Sequence, residues 1–255
     1  MQFINTHSHV YLSEFDEDRH DVIERARAMG VEKILLPDID AKHRPLIMKT
    51  VADFPDICVP MLGIHPTSVT ETFEEELADF DTHLQTDTPC AIGEIGLDLY
   101  WDTTFLEKQK IVCTHQIRAA QKHNKPIVIH VRNAFDEMFE LLDSLQIPQF
   151  SGVFHCFSGT QKQALRAIDM GFHLGIGGVV TFKNAGLDKI IVDLNLEKII
   201  LETDDPWLTP VPYRGKRNEP SYVRHVAEKI AQLHACSLDD VARITSHNAQ
   251  KLFSL

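Results

Sequence analysis

A closed (β/α)8 barrel is the architecture that this chain of 255 residues predicts, and three observations predict it. Short apolar runs alternate with longer segments of helical period. Runs that are apolar nearly throughout are what parallel strands covered on both faces require. Eight β-then-α units point to a closed barrel rather than an open doubly wound sheet. No GxGxxG follows the first strand to favour the open, dinucleotide-binding alternative. Finally, the residues able to do chemistry gather just after the apolar runs, and in a barrel those C-terminal strand ends converge on one mouth.

In chain order the expected strands are Gln2–Thr6, Lys33–Pro37, Cys58–Gly63, Cys90–Ile95, Pro126–His130, Gly152–His155, His173–Ile176 and Lys198–Leu201. Between them lie amphipathic stretches with apolar residues at helical spacing, such as Asp18–Met29, Phe105–His123, Ala134–Leu145 and Lys162–Met170. Gly30, Gly171 and the Asn124–Pro126 step punctuate helix ends. Ser221–Gln232 and Leu238–Phe253 read as two C-terminal helices. No linker, repeat or low-complexity tract divides residues 1–255, so one barrel domain is expected. The loop Leu208–Pro220, rich in Pro, Gly and basic residues, reads as a mobile active-site loop.

Composition narrows the function classes. Hydrophobic residues make up 44% and charged residues 24%, an ordinary globular balance. No run approaches the ~20 apolar residues of a membrane span, and Met1–Asn5 lacks the basic start of a signal peptide. The five cysteines are scattered and form no CxxC pair, which predicts free thiols and a cytoplasmic setting. A formal charge of −12 excludes a large non-specific nucleic-acid surface, but not a nuclease that meets phosphates through bound cations and a few local basic groups.

The strand ends carry the chemistry. Strand 1 runs into Thr6-His7-Ser8-His9, strand 3 into Gly63-Ile64-His65-Pro66, and strand 4 into Gly93-Glu94-Ile95-Gly96-Leu97-Asp98. Strand 5 ends in Ile129-His130-Val131-Arg132, strand 6 in His155-Cys156-Phe157-Ser158-Gly159, and strand 8 in Glu202-Thr203-Asp204-Asp205. Residues two apart on a strand face the same way, so His7 and His9 can address one ion. Alone that pair is a weak signal, equally a couple of hydrogen-bonded histidines. With Glu94, His130, His155 and Asp204 on the same rim it becomes a metal site. Imidazoles with carboxylates suit Zn²⁺ or Mn²⁺, whereas an all-oxygen set would suit Mg²⁺ or Ca²⁺ better. Six candidate ligands exceed one tetrahedral shell, which suggests two divalent ions with a carboxylate between them. His65 is intermediate, a ligand or a group that orients substrate or water. The remaining histidines sit in helical, turn or strand-start contexts and read as surface or cap residues.

In these ordered motifs, together with Asn218-Glu219-Pro220, the chain resembles the TatD-like metal-dependent hydrolases, often called TatD deoxyribonucleases. The resemblance spans essentially the whole length. It implies that His7, His9 and Asp204 hold one ion, that His130 and His155 hold the other, and that Glu94 bridges them. It also implies hydrolysis of DNA phosphodiesters, commonly from a 3′ end, with Mg²⁺, Mn²⁺ or Zn²⁺ in support. The chain departs from the family pattern at Asn5, where Asp is usual, and at Ser8, Thr67 and Asp205, where Cys, His and Ala are frequent. None of these removes a ligand, but Asp205 adds negative charge beside the site.

The expected mechanism is attack by a water that Asp204 orients or deprotonates, with Glu94 between the ions. Single-stranded DNA ends are the expected substrate. Arg132, Arg214 and Arg217, with Lys216, are candidate phosphate contacts, set against ordinary salt bridges and a solvated charge run. Trp101, Trp207 and Tyr213 are candidate stacking platforms for unpaired bases, or packing residues. The rivals are a barrel hydrolase of C–N or lactone bonds, a hydrolase of small phosphoesters, and a non-catalytic metal-binding scaffold. Against the first stands Glu94, at the strand-4 end where many such enzymes carry a carboxylated lysine.

Overall fold

The computed structural model describes residues 1–255 and is a closed parallel barrel. Its strands are β1 Phe3–Asn5, β2 Val31–Leu36, β3 Cys58–Pro60, β4 Ile92–Asp98, β5 Ile127–Arg132, β6 Gly152–Phe154, β7 Phe172–Ile176 and β8 Ile199–Leu201. Each falls within about three residues of the run that predicts it. The ladders β1-β2-β3 and β4-β5-β6-β7-β8 are joined at two seams. Leu62 pairs with Ile92 between β3 and β4. Between β8 and β1, the Thr6 N–H donates to the Leu201 carbonyl at 3.0 Å, and Ser8 pairs with Asp205.

The helices are α1 Arg19–Ala28, α2 Arg44–Asp53, α3 Phe73–Thr86, α4 Leu106–Lys122, α5 Phe135–Ser144, α6 Gln161–Asp169, α7 Leu187–Ile191, α8 Val223–Leu233 and α9 Leu238–Phe253. The apolar pattern marks none of α2, α3 and α7, and the reason is physical: α7 is only five residues long. Of the fourteen residues of α3 only Phe80 and Leu84 are buried, while α2 buries Arg44 and Thr50 beside Ile47. Neither shows a clean apolar stripe.

Packing separates into two layers. The larger lies between strands and helices. The smaller fills the barrel's N-terminal end with Ile4, Leu35, Met61, Ala91, Val128, Val153 and Ile200, against which α9 packs Ala249 and Phe253. The two-residue strand period then dictates what lies above this layer. Two residues beyond Val128, Val153 and Ile200 come His130, His155 and Glu202, so an apolar base places polar side chains at the mouth. Phe253 is 3% exposed and stoppers the base. Phe253→Ala is expected to cost about 3–5 kcal/mol by leaving a cavity, read as a lower denaturant midpoint, with the cation content of the mouth unchanged. A loss under about 1 kcal/mol would show that the base does not depend on this plug.

Candidate metal centre

Glu94 is the hub. It sits in β4 where the register with β5 slips between Ile92 and Ile95, and its side chain is 3% exposed. Its two oxygens face different neighbours. Oε2 lies 3.1 Å from His7 Nε2 and 3.9 Å from His9 Nε2. Oε1 lies 2.6 Å from His155 Nε2, 2.8 Å from His130 Nδ1 and 3.4 Å from His65 Nε2. Asp204 completes the first set, with Oδ1 3.5 Å from His9 Nε2 and 3.8 Å from His7 Nε2. The rings of His7 and His155 stack at 3.8 Å between the two sets.

The backbone that aims these groups is particular. Gly96, at φ +143°, lets β4 run against β5 where a Cβ would meet the His130 carbonyl oxygen at 1.9 Å. A Cβ on Gly175 would lie 2.2 Å from Glu202 Oε2, so glycine there admits the Glu202 carboxylate behind His155. Asp204 has φ +56°, in the left-handed region, with its N–H donating to the His7 carbonyl at 3.0 Å.

Several residues outside the expected set support the cluster. Asp98 is buried, with Oδ2 2.9 Å from His130 Nε2. Glu202 lies 3.7 Å from His155 Nδ1 and accepts the Cys156 N–H at 2.5 Å. Tyr11 contacts His9 Nδ1 at 2.8 Å. The signal that could have found Asp98 and Glu202 is present, since each is a carboxylate inside a rim motif. Tyr11 had only its two-residue spacing from His9.

Electrostatics bind the group together. Burial opposes charge on Glu94, but His155, His65 and His7 together with the hydrogen bond from His130 hold its carboxyl well below the usual range. Burial likewise opposes charge on Asp204, and the His9 hydrogen bond with the charges of His155 and His7 outweighs it, lowering its pKa. Burial works against protonated His155 and His130, yet Glu94 with Glu202 pushes the former well above its usual value, and Asp98 with Glu94 raises the latter. His7 and His65 are lowered, chiefly by burial.

This environment fits divalent cations. His7 is fully buried and neither of its ring nitrogens has a hydrogen-bond partner. Its Nε2 faces two carboxylate oxygens, and a cation between them would satisfy all three. Ligand atoms about 2.1 Å from an ion in a tetrahedral shell stand about 3.4 Å apart, close to the 3.1–3.9 Å spacings of the His7, His9, Glu94 and Asp204 atoms. Three ligand-like trios overlap here: His7, His9 and Glu94; His65, Glu94 and His130; and His7, His155 and Asp204.

A cleft of about 650 Å³ opens over the cluster, lined by His9, His65, His130, His155 and Asp204 and walled by Trp101, Arg132 and Trp207. A larger depression of about 1030 Å³ at the other end of the barrel touches none of them. Trp101 is 70% and Trp207 48% exposed. Arg132 forms no salt bridge and stacks on Tyr100 at 3.6 Å. The other expected contacts lie elsewhere. Arg217 pairs with Asp18 at 2.6 Å and packs on Phe15; Arg214 donates to the Thr209 carbonyl at 3.2 Å and stacks on Phe182; Tyr213 stacks on Tyr222. None of these three lines the cleft. The Leu208–Pro220 loop, expected to be mobile, is cross-tied instead: buried Asn218 donates to the Thr203 and Trp207 carbonyls at 2.8 and 2.6 Å, and Thr209 donates to the Lys216 carbonyl. Glu219 anchors it to Arg25 at 2.7 Å. Asp205 also turns away from the cleft. It is fully buried, accepts from Ser8 and Thr203 in the β8–β1 seam, and burial pushes its pKa up to about 6.

Comparison with known proteins adds a lineage to this geometry. Residues 4–254 match the family described as TatD related DNase. The chain is 38% identical over 252 residues to an uncharacterised metal-dependent hydrolase, YabD, of Bacillus subtilis, covering 98% of each. It is 30% identical over 249 residues to a Pantoea ananatis protein named 3′-5′ ssDNA/RNA exonuclease TatD, covering 95% of this chain and 96% of that one. The crystal structure of YjjV, a TatD homologue from Escherichia coli, superposes with a TM-score of 0.91 at 28% identity, covering 99% and 98% of the two chains. No helix is long and apolar enough to cross a membrane.

Proposed function

The chain belongs to the TatD related DNase family and is a metal-dependent hydrolase, and from that premise we propose that it cleaves phosphodiesters at single-stranded DNA ends using two divalent cations. The observation that carries this reading is the division of Glu94, with Oε2 turned to His7 and His9 and Oε1 to His130 and His155. In the proposal Asp204 completes the first position, and Glu94 belongs to both. Bound there, two divalent cations such as Mg²⁺, Mn²⁺ or Zn²⁺ would polarise a phosphoryl oxygen and make water more acidic.

The protein groups do the rest. Asp204 orients a water and takes its proton as the oxygen attacks phosphorus and the bond to the leaving oxygen breaks. Arg132 shares the charge on the phosphate oxygens. Trp101 and Trp207 flank the cleft as exposed aromatic side chains, suited to unpaired bases rather than a stacked duplex. A polyanion meets a chain of charge −12, so only an end entering the mouth finds positive charge.

Purified protein with added Mg²⁺, Mn²⁺ or Zn²⁺ is tested on single-stranded DNA, RNA, dinucleotides, small phosphodiesters and lactones. Turnover of oligonucleotides supports the reading; opening of lactones or amides with no nucleic acid cleaved overturns it. Arg132 is the only Lys or Arg that lines the cleft. The slope of log affinity against log salt for single strands is therefore expected at about −0.7, because about 0.7 counterions leave per phosphate neutralised. Trp101→Ala should raise KM for an oligonucleotide about tenfold, one lost stacked base, and leave a small phosphodiester nearly unaffected.

A further inference from the structure

An imidazole can turn either a lone pair or an N–H toward a cleft, and its partner on the far side decides which. At His9 the partner is Tyr11, whose hydroxyl donates to the Pro37 carbonyl at 2.7 Å and lies 2.8 Å from His9 Nδ1. A carbonyl only accepts and a phenol has one proton, so the Tyr11 oxygen accepts from His9 Nδ1–H. A neutral His9 ring therefore turns its Nε2 lone pair toward Asp204 and Glu94. At His130 the partner is the Asp98 carboxylate, 2.9 Å from Nε2. An ionised carboxylate only accepts, so a neutral ring, the form that binds a cation, carries its proton on Nε2 and turns its Nδ1 lone pair to Glu94. Both histidines, when neutral, thus aim lone pairs at carboxylate oxygens, an arrangement that a cation relieves.

His65 is set the other way. It caps the short turn Pro66–Ser68, its Nδ1 accepting the Thr67 backbone N–H at 3.1 Å, with the Thr67 hydroxyl 2.6 Å away and able to donate to the same lone pair. A backbone amide can only donate, so the Nδ1 lone pair is engaged and a neutral ring carries its proton on Nε2. That Nε2 lies 3.4 Å from Glu94 Oε1 and lines the cleft. An N–H facing a carboxylate is satisfied with no cation between them.

We propose that His65, although it completes a ligand-like trio with Glu94 and His130, is not a cation ligand but a neutral N–H donor to a non-bridging oxygen of the scissile phosphoryl group. The proposal rests on the two-cation phosphodiesterase reading above. A preset donor aimed at an oxygen where negative charge develops stabilises the transition state more than the ground state. The Thr67 amide supplies the presetting, since the tautomer in which Nε2 offers a lone pair would turn an Nδ1–H against that N–H.

Three measurements test it on the full chain loaded with Zn²⁺. Histidine ¹⁵N spectra of the wild type, with the His65 signals assigned by their loss in His65→Gln, should show Nε2 protonated and Nδ1 bare; a bare Nε2 on His65 would overturn the proposal. Elemental analysis should find the same cation content in His65→Leu as in wild type, and less in His130→Ala. Two cations in wild type but one in His65→Leu would overturn the assignment of His65 alone. No cation in wild type would overturn the underlying reading, and this proposal with it. Finally, kcat on a small phosphodiester should fall about 100-fold in His65→Leu with KM little changed. His65→Gln, whose amide carries an N–H at similar reach, should recover part of the loss. An unchanged kcat in His65→Leu would also overturn the proposal.

Discussion

Glu94→Ala is expected to empty both cation positions and lower turnover by about 10³-fold or more. Its two oxygens reach both histidine sets, and removing it leaves His7, His9 and Asp204 on one side and His130 and His155 on the other without the carboxylate they share. Charge stabilisation of this kind is worth several kcal/mol, and about 4 kcal/mol corresponds to three factors of ten. His155→Ala provides the contrast, because it removes a ligand from one side and should leave some binding on the other. Elemental analysis of the two variants, with melting curves to show that both are folded, gives the answer. Full occupancy in Glu94→Ala would rule out the bridging role.

Cation loading should release protons at neutral pH, and chelation should abolish activity until cations are restored. In the cation-free protein, burial disfavours charged His155 and His130, but the carboxylates beside them prevail and raise both above their usual 6.5. A proton held on His155 must therefore leave on ligation, and His130, shifted in the same direction, adds to the release. Apparent cation affinity should rise with pH until the raised histidine pKa values are passed, and level off beyond them. His7, lowered chiefly by burial, is already neutral and should release none. Stability of the cation-free protein runs the opposite way. The raised His155 contributes fully below 6.5, and its contribution is lost as pH rises through its higher folded value. The lowered Glu94 contributes fully above 4.5 and loses its contribution only as pH falls through its depressed folded value. The cation-free form should thus gain most from this pair between about pH 4.5 and 6.5, and the loaded form should overtake it increasingly above that window. Pulse titration of cation into lightly buffered protein measures the release. Uptake of protons, or affinity independent of pH, would refute the scheme.

The strands were legible because the core imposes a local signature on them. A parallel strand covered on both faces must be apolar nearly throughout, and Ile34–Leu36, Ile127–Ile129 and Ile199–Leu201 are. Helices α2 and α3 were not legible, because they ride on the outside with few buried positions. The cluster residues were found for the same local reason, each following a strand at the end that a barrel gathers into one mouth. Charge type, by contrast, misled about the rim. Arg214 and Arg217 sit in a basic loop, yet Phe182 and the pair of Phe15 and Asp18 hold them away from the cleft. Asp205 looked like a charge added to the site, but its carboxylate is folded into the seam by Ser8 and Thr203.

By itself the sequence determined the barrel, its order of strands and the set of histidines and carboxylates at its mouth, because these follow from apolar runs and a two-residue period, both local properties of a chain. Closure of the barrel sets which nitrogen each imidazole presents, which oxygen of Glu94 faces which histidine, and which basic side chains reach the cleft. Those outcomes depend on partners far apart in the chain, His9 on the Pro37 carbonyl through Tyr11, His130 on Asp98, and Arg217 on Asp18. A hydrogen bond has a direction and a length tolerance of a few tenths of an ångström. Nothing in local patterning carries that information until the barrel has closed and brought the partners together.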